Sequence, residues 1–290
     1  MQVSNLARAL LWMSGALLSF SIMAISVREL AAAHLSVFEI LTLRAATGLS
    51  ILLILLAARP ALRQHVVPRN FKLHLLRNAG HFMSQYLWAT ALTLLPLATV
   101  FALEFTMPAW TIVFAAWFLG ERLTPSRIGV VVLGLVGVLV ILRPGVAAFD
   151  PAALLVLGAA LGFAITMITT KKLTATNTTF GIILWMMLIQ LPIALAGSEF
   201  ASFARLSTND ILPVLGLAIG GTASHYCFTN AFRAGDATVV VPIDFLRVPL
   251  IAAVGWLLYR ETPDIFVFVG TIIIAGGVLW NLRAESTRKL

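Results

Sequence analysis

The sequence is a succession of apolar runs, each about as long as a lipid bilayer is thick, and that spacing leaves few folds open. Runs bounded by charged or Pro/Gly-containing breaks fall at residues 6–27, 36–58, 73–93, 97–118, 126–143, 152–170, 179–197, 211–233, 237–258 and 264–282. A helix needs roughly 20 apolar residues to cross the hydrocarbon core, so these are ten candidate spans. Backbone groups in lipid must be bonded within their own segment, and no run alternates in polarity as a barrel strand does. The expected fold is an all-α membrane protein with ten transmembrane helices. Composition agrees: 60% of the 290 residues are hydrophobic and 11% charged, where a soluble domain carries about 25% charged residues. Ten spans leave no room for a soluble catalytic domain. The first run, with Arg8 near its start, is longer than a signal-peptide core and is followed by others, so it reads as a retained helix. The single cysteine, Cys227, excludes an intrachain disulfide framework and a cysteine-based metal cluster.

A net charge of +8 would suggest a nucleic-acid partner in a soluble chain. Here the basic residues stand singly between apolar runs and report topology instead. With the N-terminus inside, 13 of the 20 Lys and Arg fall in inside segments, while Arg28, Arg143, Arg205 and Arg260 fall outside. Arg44, Arg77 and Arg247 lie within spans. This bias predicts that both termini are cytoplasmic.

Sliding the chain by 140 residues aligns 80–143 with 220–283 without a gap. It pairs Gly80 with Gly220, Ser84 with Ser224, Tyr86 with Tyr226, Phe105 with Phe245, Glu121 with Glu261 and Gly137 with Gly277. Glu104 falls on Asp244, an acid on an acid inside two apolar runs. At an offset of 143 the first span matches the sixth, with Phe20 on Phe163 and Arg28 on Lys171. The chain therefore reads as two five-helix units, residues 1–147 and 148–290. Because five is odd, a unit that starts inside ends outside, and the second copy must be inverted in the membrane. Inverted repeats provide two gates around one midplane site, which is the architecture of an alternating-access carrier.

The run from Ala98 through Glu104 and Pro108 to Trp110, the segment Gly120, Glu121, Arg122, and the Gly-rich span with Gly129, Gly134 and Gly137 resemble the EamA-type repeat of the drug/metabolite transporter superfamily. The second copy is similar from Val239 and Pro242 through Pro249 and Glu261 to Gly276 and Gly277, with Arg260 standing where the first copy has Gly120. The resemblance covers essentially the full chain. It implies two inverted five-helix halves with cytoplasmic termini in a multi-pass protein, on this reading of a bacterial inner membrane. Members include amino-acid and metabolite exporters and carriers of nucleotide-like or cofactor-like compounds.

Charged side chains at bilayer depth are costly, about 2.5–3.5 kcal/mol on insertion scales, so each is a functional candidate. Glu104 and Asp244 can bind a substrate amine, cycle a proton, or serve as structural hydrogen-bonders. Arg247, three residues after Asp244, shares its helical face and can neutralise it. Arg44 has Glu39 five residues earlier; left alone it would attract a carboxylate or phosphate through its planar fork. His81, Gln85 and Trp88 form one stripe beside Tyr86, and His225, Tyr226 and Asn230 occupy the matching region. They can line a wet cavity or bond between helices. Trp110 is a deep aromatic that serves packing or a ligand wall. Glu121 and Glu261, at opposite ends of spans four and nine, read as gate or helix-end contacts. The glycines of spans five and ten permit close helix approach within the chain or in a homodimer.

The expected activity is secondary transport of a small amphipathic metabolite, with proton coupling open. Export of amino acids is the first expectation and uptake of a nucleotide-like or cofactor-like compound the alternative. No Walker motif, metal-ligand set or nucleophile elbow occurs, so neither ATP drive, an enzyme activity nor a cofactor is expected. A membrane scaffold would not require mirrored acids at depth.

Overall fold

The computed structural model describes residues 5–119, 123–143, 150–234, 243–262 and 264–288, among which there are helices and no β-strand. The helices are α1 (Asn5–Ala32), α2 (Val37–Ala58), α3 (Phe71–Leu94), α4 (Leu97–Glu104), α5 (Met107–Leu119), α6 (Pro125–Leu142), α7 (Ala153–Thr174), α8 (Thr179–Ala196), α9 (Ile211–Ala234), α10 (Arg247–Tyr259) and α11 (Ile265–Arg288). Among the described residues, seven helical segments are long and apolar enough to cross a membrane: those in α1, α2, α6, α7, α8 and α11, and the joined segment Leu97–Phe118. Helices α3 and α9, 24 residues each, span about 36 Å at the helical rise but carry the polar stripes. The exposed large side chains, Leu11, Ile54, Leu139 and Ile272 among them, are apolar and suit a lipid exterior.

Helix starts follow local chemistry. Ser36 opens α2 with a capping box: its hydroxyl accepts the Glu39 N–H, and its own N–H donates to the Glu39 carboxylate at 2.6 Å. Thr124 and Thr178 cap α6 and α8 through their hydroxyls. Pro96 forces Leu95 into extended backbone and so separates α3 from α4, as the run boundaries at 93 and 97 anticipated.

The fourth span is not continuous. Residues 105–106 form a turn between α4 and α5, in which the Thr106 N–H reaches only back to Leu103, at 3.1 Å. Pro108 has no N–H to give the Glu104 carbonyl. The same break recurs 140 residues later at 245–246, where the Leu246 N–H bonds to Ile243 at 3.0 Å and Pro249 withholds a donor from Phe245. Pro192, by contrast, sits inside an unbroken α8. Pro242 lies outside the described residues.

Helix packing follows the repeat. α1 packs on α9 and α3 on α7, whereas α2 packs on α8, α4 on α10 and α6 on α11. Advancing each helix to its repeat mate exchanges the first two pairs and returns α2–α8 and α6–α11 to themselves, as a two-fold relation between halves requires. The glycines act in this frame. A Cβ on Gly137 would lie 2.8 Å from the Gly270 carbonyl oxygen, and one on Gly270 would lie 2.7 Å from that of Gly137. Their repeat counterpart brings Gly277 onto Leu133 and Val130. These close approaches are intramolecular. At the end of α10, Arg260 adopts φ 54°, ψ 30°, so the turn that glycine would make easily is made by arginine.

Candidate functional site

The two helix breaks meet. Phe105 and Phe245, one from each, stack with ring centroids 4.5 Å apart. Just before the breaks stand Glu104 and Asp244, and just after the second stands Arg247, which reaches both acids. Its Nη1 donates to Glu104 at 3.3 Å across the halves and its Nη2 donates to Asp244. The Arg247 side chain is 5% exposed. Its guanidinium lies 4.1 Å from the Phe20 ring centroid and 5.4 Å from that of Phe105, a cation–π enclosure with α1 and α4 as walls. Glu104 takes a further bond of 2.8 Å from the Trp88 indole N–H of α3. The cluster therefore ties α1, α3, α4 and α10 together. Two carboxylates around one guanidinium leave an acidic excess when both are ionised, so the centre has capacity for a proton or a substrate cation.

A second polar region lies along α3, where His74, Arg77, Asn78, His81, Ser84, Gln85 and Trp88 are all buried. Their spacing of three and four residues makes one continuous stripe. The His81 Nδ1 meets the Gln190 side-chain amide at 2.9 Å, and the ring packs edge-on to Phe163. Arg77 donates to Thr170 Oγ1 at 3.2 Å and to Asn78 Oδ1 at 2.6 Å, both neutral acceptors. Arg44 of α2 is 6% exposed, and its Nε and Nη2 have no hydrogen-bond partner. Glu39 does not serve it: that carboxylate is engaged by the Ser36 and Glu199 backbone N–H groups. The expected neighbour in sequence is thus diverted by the helix cap.

Other expected site residues lie elsewhere. Tyr226 is 61% exposed and packs edge-on to Trp12 on the outer face of α9. Two residues after buried Ser224, it has turned about 200° around the helix. Its mate Tyr86 packs on Phe38 of α2 at 4.8 Å, away from the acids. Asn230 bonds back to the Tyr226 carbonyl on its own helix at 2.9 Å. Trp110 keeps a buried, unpartnered indole N–H, as does Gln85 its side-chain carbonyl. The side chain of His225 and the whole of Glu121 lie outside the described residues. The sequence reading passed over Arg77, Phe20 and Gln190. Arg77 had been recognised as intramembrane, which was the available signal; the other two carry none without the fold.

Glu261 makes a contact between halves at the helix end. Its carboxylate pairs with Arg28 of α1 and accepts the Leu97 N–H at 3.0 Å, capping α4. Arg28 also donates to the Leu92 carbonyl at 2.9 Å, and Tyr259 donates to Glu29 at 2.7 Å. Gly255 leaves room for the Glu261 carboxylate, which a Cβ there would displace. An open cavity of about 440 Å³ borders this latch, lined by Arg28, Thr93, Tyr259 and Glu261 among others.

An apolar helical bundle with buried charges at paired helix breaks is an arrangement found in membrane transporters. The chain belongs to the EamA-like transporter family, whose model matches it twice, over residues 7–143 and 150–283. A riboflavin transporter of Rhizobium johnstonii is 32% identical over 217 residues, 74% of this chain and 72% of its own. An S-adenosylmethionine uptake transporter of Rickettsia felis is 27% identical over 73% of this chain and 72% of its own. A pseudopaline exporter of Pseudomonas aeruginosa is 29% identical over 90% and 89%. A solved crystal structure superposes with a TM-score of 0.64 at 19% identity and 97% coverage of both chains, a likeness of fold.

Proposed function

We propose that this protein is a secondary, alternating-access carrier of small amphipathic metabolites in a bacterial cytoplasmic membrane. Its ten crossings would form two inverted halves, about residues 1–147 and 148–290, with both termini cytoplasmic. The ten apolar runs, the continuous repeat and the Lys/Arg bias support that topology. The observation that carries the reading is the matched pair of breaks, each beside a buried acid and bridged between halves by Arg247. Irregular backbone at membrane depth is tolerated where it lines a substrate site.

On this reading Glu104 and Asp244 hold a substrate amine or the coupling proton. Trp88 and Trp110 border the apolar part, and the Arg28–Glu261 latch closes one mouth. His81 and Gln85 belong to the lining of α3. Export of amino-acid-like compounds is the first assignment. Uptake of a cofactor-like compound is the second, favoured by the riboflavin and S-adenosylmethionine relatives. Proteoliposomes loaded with labelled amino acids or riboflavin, with and without a pH gradient, test it. Saturable flux abolished by Glu104→Gln and by Asp244→Asn is expected; absence of flux for every solute in both directions would overturn the carrier reading.

A further inference from the structure

We infer that the Arg44 guanidinium is an oxyanion-binding site, which would receive the carboxylate or phosphate of the transported compound; the substrate part of this inference rests on the carrier reading above. Arg44 is buried, and two of its three guanidinium nitrogens have no acceptor. Arg77 of α3 is likewise buried, 7% exposed. Neither forms a salt bridge with a carboxylate among the described residues, and the hydrogen-bond acceptors found for Arg77 are neutral. Arg44 is thus held out of water with two guanidinium donors that nothing among the described residues satisfies.

Such an arrangement is unfavourable unless an anion completes it, because the buried guanidinium has given up water at these donors without gaining acceptors. Methionine or leucine at this position would avoid that penalty, so the cation itself is what the site supplies. Space is made for Arg44: a Cβ on Gly221 of α9 would stand 3.1 Å from its Nε, so a larger residue would crowd the fork. The free Nε and Nη2 lie on one edge of the guanidinium and match two oxygens of a carboxylate or phosphate. This site differs in kind from the Arg247 centre, where acids already fill the same role.

The full chain, purified in phosphatidylcholine nanodiscs, is titrated with inorganic phosphate or acetate at constant ionic strength, with chloride as reference, and the unfolding midpoint is read. A saturable rise is expected. Arg44→Gln should weaken the apparent affinity about ten- to a hundredfold, the loss of a charge-assisted contact. Arg143→Gln, which removes an arginine paired with Asp264 elsewhere, should leave it unchanged. Should Arg44→Gln fail to fold, Arg44→Lys and Gly221→Leu retain the charge while removing or crowding the fork, and both should weaken the response. A parallel series in phosphatidylglycerol nanodiscs separates the sources. An Arg44-dependent rise with that lipid but none with the soluble ions would overturn the substrate assignment in favour of a headgroup. No Arg44-dependent rise with any probe would overturn the site itself. Flux is scored separately: anion binding without flux would sink the carrier reading and leave the oxyanion site standing.

Discussion

Arg247 and Arg44 are equally buried, yet their surroundings are opposite. Arg247 is held by Glu104, Asp244 and the rings of Phe20 and Phe105, whereas Arg44 has two donors without an acceptor. The first arrangement has its charge compensated without a ligand, with only Nε left unbonded, and joins the two halves. The second is incomplete and invites one. The comparison shows that buried charge alone does not mark a binding site; the state of its compensation does.

The comparison can be broken from either side. The largest effect is expected for Arg247→Met, which leaves two buried carboxylates facing each other and should cost about 3–5 kcal/mol. Reversible unfolding in mild detergent would measure it, and adding Glu104→Gln should recover part of the loss. Trp88→Phe keeps the ring but removes the donor to Glu104, for a loss of about 1.5–3 kcal/mol in the same measurement. Arg44→Met should act in the opposite direction, leaving stability unchanged or raising it by about 1–2 kcal/mol while anion binding falls. A loss as large as that of Arg247→Met would erase the distinction between the two arginines. Smallest is Arg260→Gly, which relieves a left-handed arginine and should add about 1 kcal/mol without altering either site.

The positions of the helices were legible because lipid imposes length and polarity together, and the apolar runs record both. The repeat was legible because rare residues, Glu104 with Asp244 above all, recur at one offset. What that offset could not reveal is which mates keep equivalent surroundings. Tyr86 and Tyr226 are identical in type, but one packs between helices and the other faces outward. The pairing of Glu104 with Arg247, 143 residues away, depends on the halves meeting at their breaks, and no local pattern encodes that meeting. That Glu39, the acidic neighbour of Arg44 in sequence, is taken up by a helix cap is visible only in the fold.

The two breaks have a consequence for the timing of backbone exchange. A continuous buried helix shields its amides through a long cooperative ladder, but a ladder interrupted at 105–106 and again at 245–246 offers short ends that can open independently. Deuterium should therefore enter near the middle of the fourth and ninth apolar runs sooner than in the flanking turns of α4, α5 and α10. The slowest-exchanging part of each run would then lie toward the membrane surfaces, reversing the usual gradient of a transmembrane helix.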